Sequence, residues 1–256
     1  MNEGTPEFDG FRVLVTGASS GIGAAIAVGF GLRGAIVGCH FNANEEGVVA
    51  TVAAIHKGGG DAVSLQADLS SRGAGTRVVE AAAAALGGLD VLVNNAGDMR
   101  ERKPLADVDD DDLDRMVDLN VRPVVAACRA AIPLLAPGRG SIINVTSISA
   151  RSGASAGGNL YAAAKSFVAG YTRGLARELA PQRIRVNAIA PGVIDTPLHA
   201  RRTDPALFAR LKDSIPLGRV GLAEDCAGAA LYLASPALAG FVTGQTIDVN
   251  GGQWIG

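Results

Sequence analysis

Short apolar runs recur along the chain, and a helix-length segment follows almost every one. The runs are "FRVLVTG" (11–17), "AIVGCHF" (35–41), "AVSLQAD" (62–68), "LDVLVNNAG" (89–97), "GSIINVTSIS" (140–149), "IRVNAIAPG" (184–192) and "TIDVNGG" (246–252). They are close to continuously apolar, not alternating. Parallel strands buried on both faces carry that pattern. Helices are expected over about 21–32, 45–57, 72–86, 109–135, 159–179 and 223–234. The long one at 109–135 begins in the acidic run "DVDDDDLD", where acids meet the positive end of a helix dipole. Repeated β–α alternation of this kind closes into a doubly wound α/β fold. The expected sheet has seven mainly parallel strands with helices on both faces, in a single domain over 1–256. Residues 196–222, "TPLHARRTDPALFARLKDSIPLGRVGL", break the rhythm with prolines and mixed charge, and read as a substrate-loop insertion over one end of the sheet.

Composition narrows the function classes. Apolar residues are 48% of the 256, enough for a sizeable core, and the net charge is −2. No basic stripe marks a nucleic-acid partner. The three cysteines, Cys39, Cys128 and Cys226, are far apart; they offer neither metal-ligand spacing nor a disulfide framework, and point to a reducing compartment. The first residues, "MNEGTPEFDG", are polar and acidic, unlike a signal peptide. No apolar run reaches the ~18–20 residues of a membrane span. These features predict a cytoplasmic protein with no metal, membrane or nucleic-acid partner.

Between the first strand and first helix lies "TGASSGIG", with Gly17, Gly21 and Gly23. A tight turn, close approach of backbone to phosphate, and close helix–sheet packing each ask for a glycine there. The following helix N-terminus offers free amides to a diphosphate. The turn residues Gly17, Ser19, Ser20, Gly21, Ile22 and Gly23 are thus dinucleotide-contact candidates. At the end of the second strand, where an acid often takes the adenosine ribose hydroxyl, stand His40, Phe41 and Asn42. The missing carboxylate permits a 2′-phosphate, yet no arginine stands there to receive one. NADP(H) is slightly favoured over NAD(H), and His40 reads equally as a solvent-facing side chain.

"NLYAAAKSF" (159–167) sets Tyr161 four residues before Lys165, on one helix face. With three tyrosines and four lysines in the chain, the spacing alone is a weak signal. A core tyrosine beside a snorkelling lysine is the plain alternative.

Five motifs in order then resemble the short-chain dehydrogenase/reductase family: "TGASSGIG", "NNAG" (94–97), "SIINVTS", "YAAAK" and "NAIAPGVIDT" (187–196). The resemblance covers about 10–252. It implies a Rossmann-type fold and hydride transfer between NAD(P)(H) and a carbonyl or secondary alcohol. It implies Tyr161 as general acid/base, Lys165 lowering its pKa and holding ribose hydroxyls, Ser147 binding the substrate oxygen, and Asn120 supporting a water chain to the lysine. Ser147 stands fourteen residues before Tyr161, about one more than the family's habit, which leaves Ser149 as its competitor.

By the same resemblance Asp68 and Leu69 flank the adenine, and Asn94, Ala96 and Gly97 form the wall beneath the ribose. Pro191, Gly192, Ile194 and Thr196 surround the nicotinamide. Asn94 could instead tie neighbouring strands, and Thr196 could cap a helix. Lowering a tyrosine from ~10 toward ~7 needs roughly 4 kcal/mol. A cation ~4 Å away gives about 1 kcal/mol in water and about 4 at an effective dielectric of ~20. The pair therefore works only where partly dehydrated.

The substrate is a small carbonyl or alcohol compound, free or carrier-linked. A 3-oxoacyl-thioester reductase and a sugar or polyol dehydrogenase are both open. Arg100, Arg102, Lys103, His199, Arg201, Arg202 and Arg210 offer positive charge for an anionic substrate or form a solvated surface. The tail "DVNGGQWIG" resembles that of tetrameric family members, with Trp254 buried at an interface or on its own core. A catalytically silent NAD(P)-binding sensor is the reading from another class. An epimerase or dehydratase of the longer subfamily would need a larger C-terminal substrate domain.

Overall fold

The computed structural model describes residues 7–198 and 203–255. Seven strands form one parallel sheet in the order β3-β2-β1-β4-β5-β6-β7. They are β1 (Arg12–Val15), β2 (Ile36–Phe41), β3 (Asp61–Gln66), β4 (Val91–Asn94), β5 (Ser141–Val145), β6 (Arg185–Pro191) and β7 (Thr246–Val249). Successive side chains on a strand face opposite ways, and the core divides accordingly. Val13, Val15, Val91, Val93 and Ile143 enter one apolar layer. Leu14, Leu92 and Ile142 enter the other. This is why the runs read as continuous: both faces are covered.

The first layer packs α1 (Gly21–Gly31), α2 (Glu45–Lys57) and, from late in the chain, Ala223–Ala234. The second packs α3 (Ala74–Leu86), the helix Arg122–Ala131 and the long helix Asn159–Leu179. No helix among the described residues is long and apolar enough to cross a membrane.

Two boundaries differ from expectation. The helix expected over 109–135 is two helices, α4 (Asp110–Asn120) and α5 (Arg122–Ala131), with Val121 between them at φ −117°. Pro123 explains the break: its ring cannot share a continuous helix with the carbonyl four residues back. At the other end the acidic run does start a helix, and Asp109 and Asp112 cap it reciprocally. Strands are also shorter than the apolar runs. Past β4 the amides of Asn95 and Ala96 turn from the sheet and donate to the Thr16 hydroxyl at 2.9 and 3.0 Å. Past β5 a short helix, α6 (Ser149–Ser152), begins; α7 (Asn159–Leu179) follows it.

Candidate active site

Strand order reverses between β1 and β4, and a crevice at such a point is the usual ligand site of an open α/β sheet. A cavity of about 790 Å³ opens there. One end is the glycine turn. Gly17 and Gly21 take φ of +68° and +54°, a region that L side chains rarely adopt. A Cβ on Gly23 would lie 2.2 Å from the Gly17 carbonyl oxygen. Asn95 pins the turn, its Nδ2 donating to the Thr16 and Gly17 carbonyls at 2.9 and 3.2 Å. Ser20 precedes α1 in extended backbone and makes no side-chain cap. The first amides of α1 are therefore left for a ligand. Ser19, Ser20 and Ile22 line the same wall.

At the end of β2 the side chains part company. His40 is buried: its Nδ1 accepts from the Gly17 amide at 3.1 Å. Nε2 then carries the proton and donates to the Ala67 carbonyl at 3.0 Å. Burial holds its pKa below the ordinary value. The solvent-facing reading of His40 is thus corrected; the β2–β1 contact turns the ring inward. Phe41 is buried in the core and does not reach the cavity, whereas Asn42, Ala43 and Asn44 line it. Asn44 caps α2 and donates to the Ser19 carbonyl at 3.0 Å. Asp68 and Leu69 line the adjoining wall, with Asp68 accepting from the Ser70 hydroxyl at 2.7 Å.

The far end holds the polar cluster. Tyr161 and Lys165 share one face of α7, with Lys165 Nζ 5.6 Å from the Tyr161 ring centroid. Tyr161 and Ser147 line the same end of the cavity, and the Ser147 hydroxyl acts to lower the Tyr161 pKa. Ser147 Oγ also accepts from the Ser149 amide at 3.1 Å, so Ser149 supports the turn that presents Ser147. Lys165 Nζ donates to the Val145 carbonyl at 3.0 Å. Burial pushes Tyr161 up to about 12, opposed by the Ser147 hydroxyl, and the Asp98 carboxylate raises it further. Burial also pushes Lys165 down to about 8. Burial is thus the dominant influence on both groups.

Asn120, fully buried at the end of α4, donates to the Asp98 carbonyl at 3.0 Å and accepts from its amide at 3.2 Å. It lies behind the cavity wall, next to Gly97, where an added Cβ would meet its Oδ1 at 2.6 Å. Asn94 also stays behind the wall. It donates to Asn144 Oδ1 at 2.9 Å and so ties β4 to β5. Ala96 and Gly97 line the cavity, as do Pro191, Gly192, Ile194 and Thr196. The Thr196 methyl closes over the glycine turn, 3.0 Å from where a Gly21 Cβ would sit.

From the insertion, Leu211 and Ser214 complete the mouth, and Trp254 of the tail joins them while 38% exposed. Among the candidate cations Arg102 lines the cavity, Lys103 pairs with Asp112 at 2.7 Å, and Arg210 is exposed. His199, Arg201 and Arg202 lie outside the described residues.

Thr16, Asn44 and Asn95 went unsingled in the sequence. Asn44 was accessible there as an N-cap before "EEGVV". Asn95 was not, since nothing in residue type separates it from Asn94.

A glycine turn, free helix amides and an acid–base cluster across one cavity fit a dinucleotide, and define a dinucleotide-binding α/β protein. The comparisons agree. A family model described as enoyl-(acyl carrier protein) reductase matches residues 17–253. The 3β-hydroxysteroid dehydrogenase 1 of Eggerthella lenta is 40% identical over 252 residues, 97% of this chain and 95% of that one. The 3-oxoacyl-(acyl-carrier-protein) reductase FabG of Chlamydia pneumoniae is 39% identical over 244 residues, covering 95% and 96% of the two chains. Among solved structures, a short chain dehydrogenase from Burkholderia cenocepacia in complex with NADP superposes with TM-score 0.90 at 37% identity, covering 96% and 99%. An NADH-dependent reductase responsible for alginate metabolism gives 0.89 at 33%, covering 98% and 99%. The chain belongs to the short-chain dehydrogenase/reductase family of oxidoreductases.

Proposed function

We propose that the protein interconverts a carbonyl group and a secondary alcohol, with NADP(H) used slightly in preference to NAD(H) and Tyr161 as the proton carrier. The meeting of Ser147, Tyr161 and Lys165 in one cavity with the glycine turn carries this reading. When bound, the dinucleotide supplies or accepts the hydride. The α1 amides and the turn Gly17–Gly23 hold its diphosphate, and Lys165 its nicotinamide ribose. Ser147 donates to the substrate oxygen as charge develops on it. Tyr161 Oη gives that oxygen its proton in reduction and takes one back in oxidation. With a pKa near 12, Tyr161 stands as the neutral phenol, the form that reduction uses. In the oxidative direction a neighbouring cation favours the phenolate, and Lys165 lies on the same face of α7.

The coenzyme preference rests on the β2 end, where the lining residues Asn42, Ala43 and Asn44 are all uncharged. The substrate is a small carbonyl or alcohol compound, free or carrier-linked, as the reductase and dehydrogenase relatives suggest. The test is a panel of ketones and secondary alcohols followed at the nicotinamide absorbance band with both coenzymes. Turnover is expected, modestly faster with NADPH. Asn42→Asp is expected to reverse the preference by about tenfold, or ~1.4 kcal/mol. Coenzyme binding without oxidation across the panel would refute the catalytic reading in favour of a sensor.

A further inference from the structure

Arg102 faces the same cleft as Tyr161, and its bonds among the described residues are to neutral groups. Its Nη1 donates to Ser155 Oγ at 2.7 Å, and its Nη2 approaches the Met99 thioether at 4.0 Å. Its Nε is buried without a partner. A guanidinium carries five donors and is always charged. Its neighbour Lys103 is neutralised by Asp112. Asp98, on the cavity wall, takes a bond from the Arg100 amide.

The loop is shaped around the arginine. Gly157, at φ +74°, would bring an added Cβ to 3.1 Å from Arg102 Cβ, and one on Gly158 would lie 3.0 Å from Nη1. The Lys103 amide donates to the Gly157 carbonyl at 3.3 Å. Both glycines leave room for the Arg102 side chain beside the loop that follows Ser147. Lys165, the other cation lining the cavity among the described residues, is already held by the Val145 carbonyl.

We propose that Arg102 and Ser155 form an oxyanion subsite, so that the preferred substrate is a carbonyl compound bearing its own carboxylate or phosphate. The inference rests on the oxidoreductase reading and deepens it by naming the substrate class. A planar guanidinium matches either oxyanion in a two-pronged contact, and Ser155 holds the fork in place. The group binds while the carbonyl end meets Ser147 and Tyr161. Arg102 therefore sets which substrate is held and takes no proton.

The test uses the full chain with NADPH and matched pairs. 3-Oxobutanoate, 4-oxopentanoate and 5-oxohexanoate are each set beside the methyl ester, and dihydroxyacetone phosphate beside dihydroxyacetone. The chain-length series locates the subsite relative to the carbonyl. Wild type is expected to favour the charged member of at least one pair. Arg102→Met is expected to reduce that preference about 30-fold, mostly through KM, with Arg102→Lys in between. NADPH affinity measured by fluorescence titration reports that both variants are folded. A preference confined to the acids assigns a carboxylate, and one confined to the sugar phosphate assigns a phosphate. Equal use of charged and neutral partners, or a preference that survives in Arg102→Met, would overturn the subsite while leaving the oxidoreductase reading standing. No carbonyl turnover by wild type that binds NADPH would overturn both.

Discussion

His40 shows how one side chain settles what its neighbours do. Both ring nitrogens are engaged, by the Gly17 amide and the Ala67 carbonyl, so the ring must stay neutral to keep both bonds. Burial lowers its folded pKa below the ordinary ~6.5. The unfolded chain then takes up a proton at higher pH than the folded one does. The His40 contribution to stability is fully present above about pH 6.5 and is lost as pH falls below it, by up to ~1.4 kcal/mol per pH unit. Thermal melts from pH 8 to pH 5 should show a steeper loss for wild type than for His40→Gln. Parallel curves would contradict this.

The same scale marks where sequence reading stops. His40 lay in a plausible place, but its direction depends on the β1 turn beside it. Asn94 and Asn95 are identical in type and adjacent, and the end of the strand sends one to tie β5 and the other to pin Gly17.

At the scale of elements, period and punctuation were the most legible signals. Helices 45–57, 159–179 and 223–234 fall where their apolar spacing places them. The break at Val121 was legible in Pro123, and continuous amphipathic spacing across 109–135 masked it. The strands are shorter than their apolar runs because those residues continue past the ladder into the cleft wall, where the Asn95 and Ala96 amides bond a threonine hydroxyl in place of a strand. The β1–α1 turn depends on what is missing from Gly23. A methyl group there would press on the Gly17 carbonyl at 2.2 Å and on Asn95 Nδ2 at 2.4 Å, both part of the turn itself. Gly23→Ala should cost about 1–3 kcal/mol of stability by overpacking. It should also weaken NADPH binding at least tenfold. Urea melts and fluorescence titration measure the two effects, and wild-type affinity in the variant would contradict the role given to the turn.

Over the whole molecule, the site is assembled from residues as distant in sequence as Gly17 and Trp254. Its glycine-turn end was legible because a diphosphate site would demand glycines next to a helix start. The Tyr161–Lys165 pair was legible from helix geometry, and its setting from the order of motifs. The substrate half was not. Arg102 reaches the cleft through a glycine-rich loop fifty residues on, and Leu211, Ser214 and Trp254 meet there from segments without period. No local pattern announces such a meeting. How completely the fold dehydrates Tyr161 and Lys165 was likewise out of reach, since it depends on packing from several segments.

The central claim is that the Tyr161 hydroxyl carries the proton. Tyr161→Phe keeps the ring and removes that group alone. NADPH affinity and kcat, measured on the same preparation with the best carbonyl of the panel, test it directly. The account predicts affinity within about threefold of wild type and a kcat lower by ~10²–10⁴. A variant that turns over near the wild-type rate would contradict it.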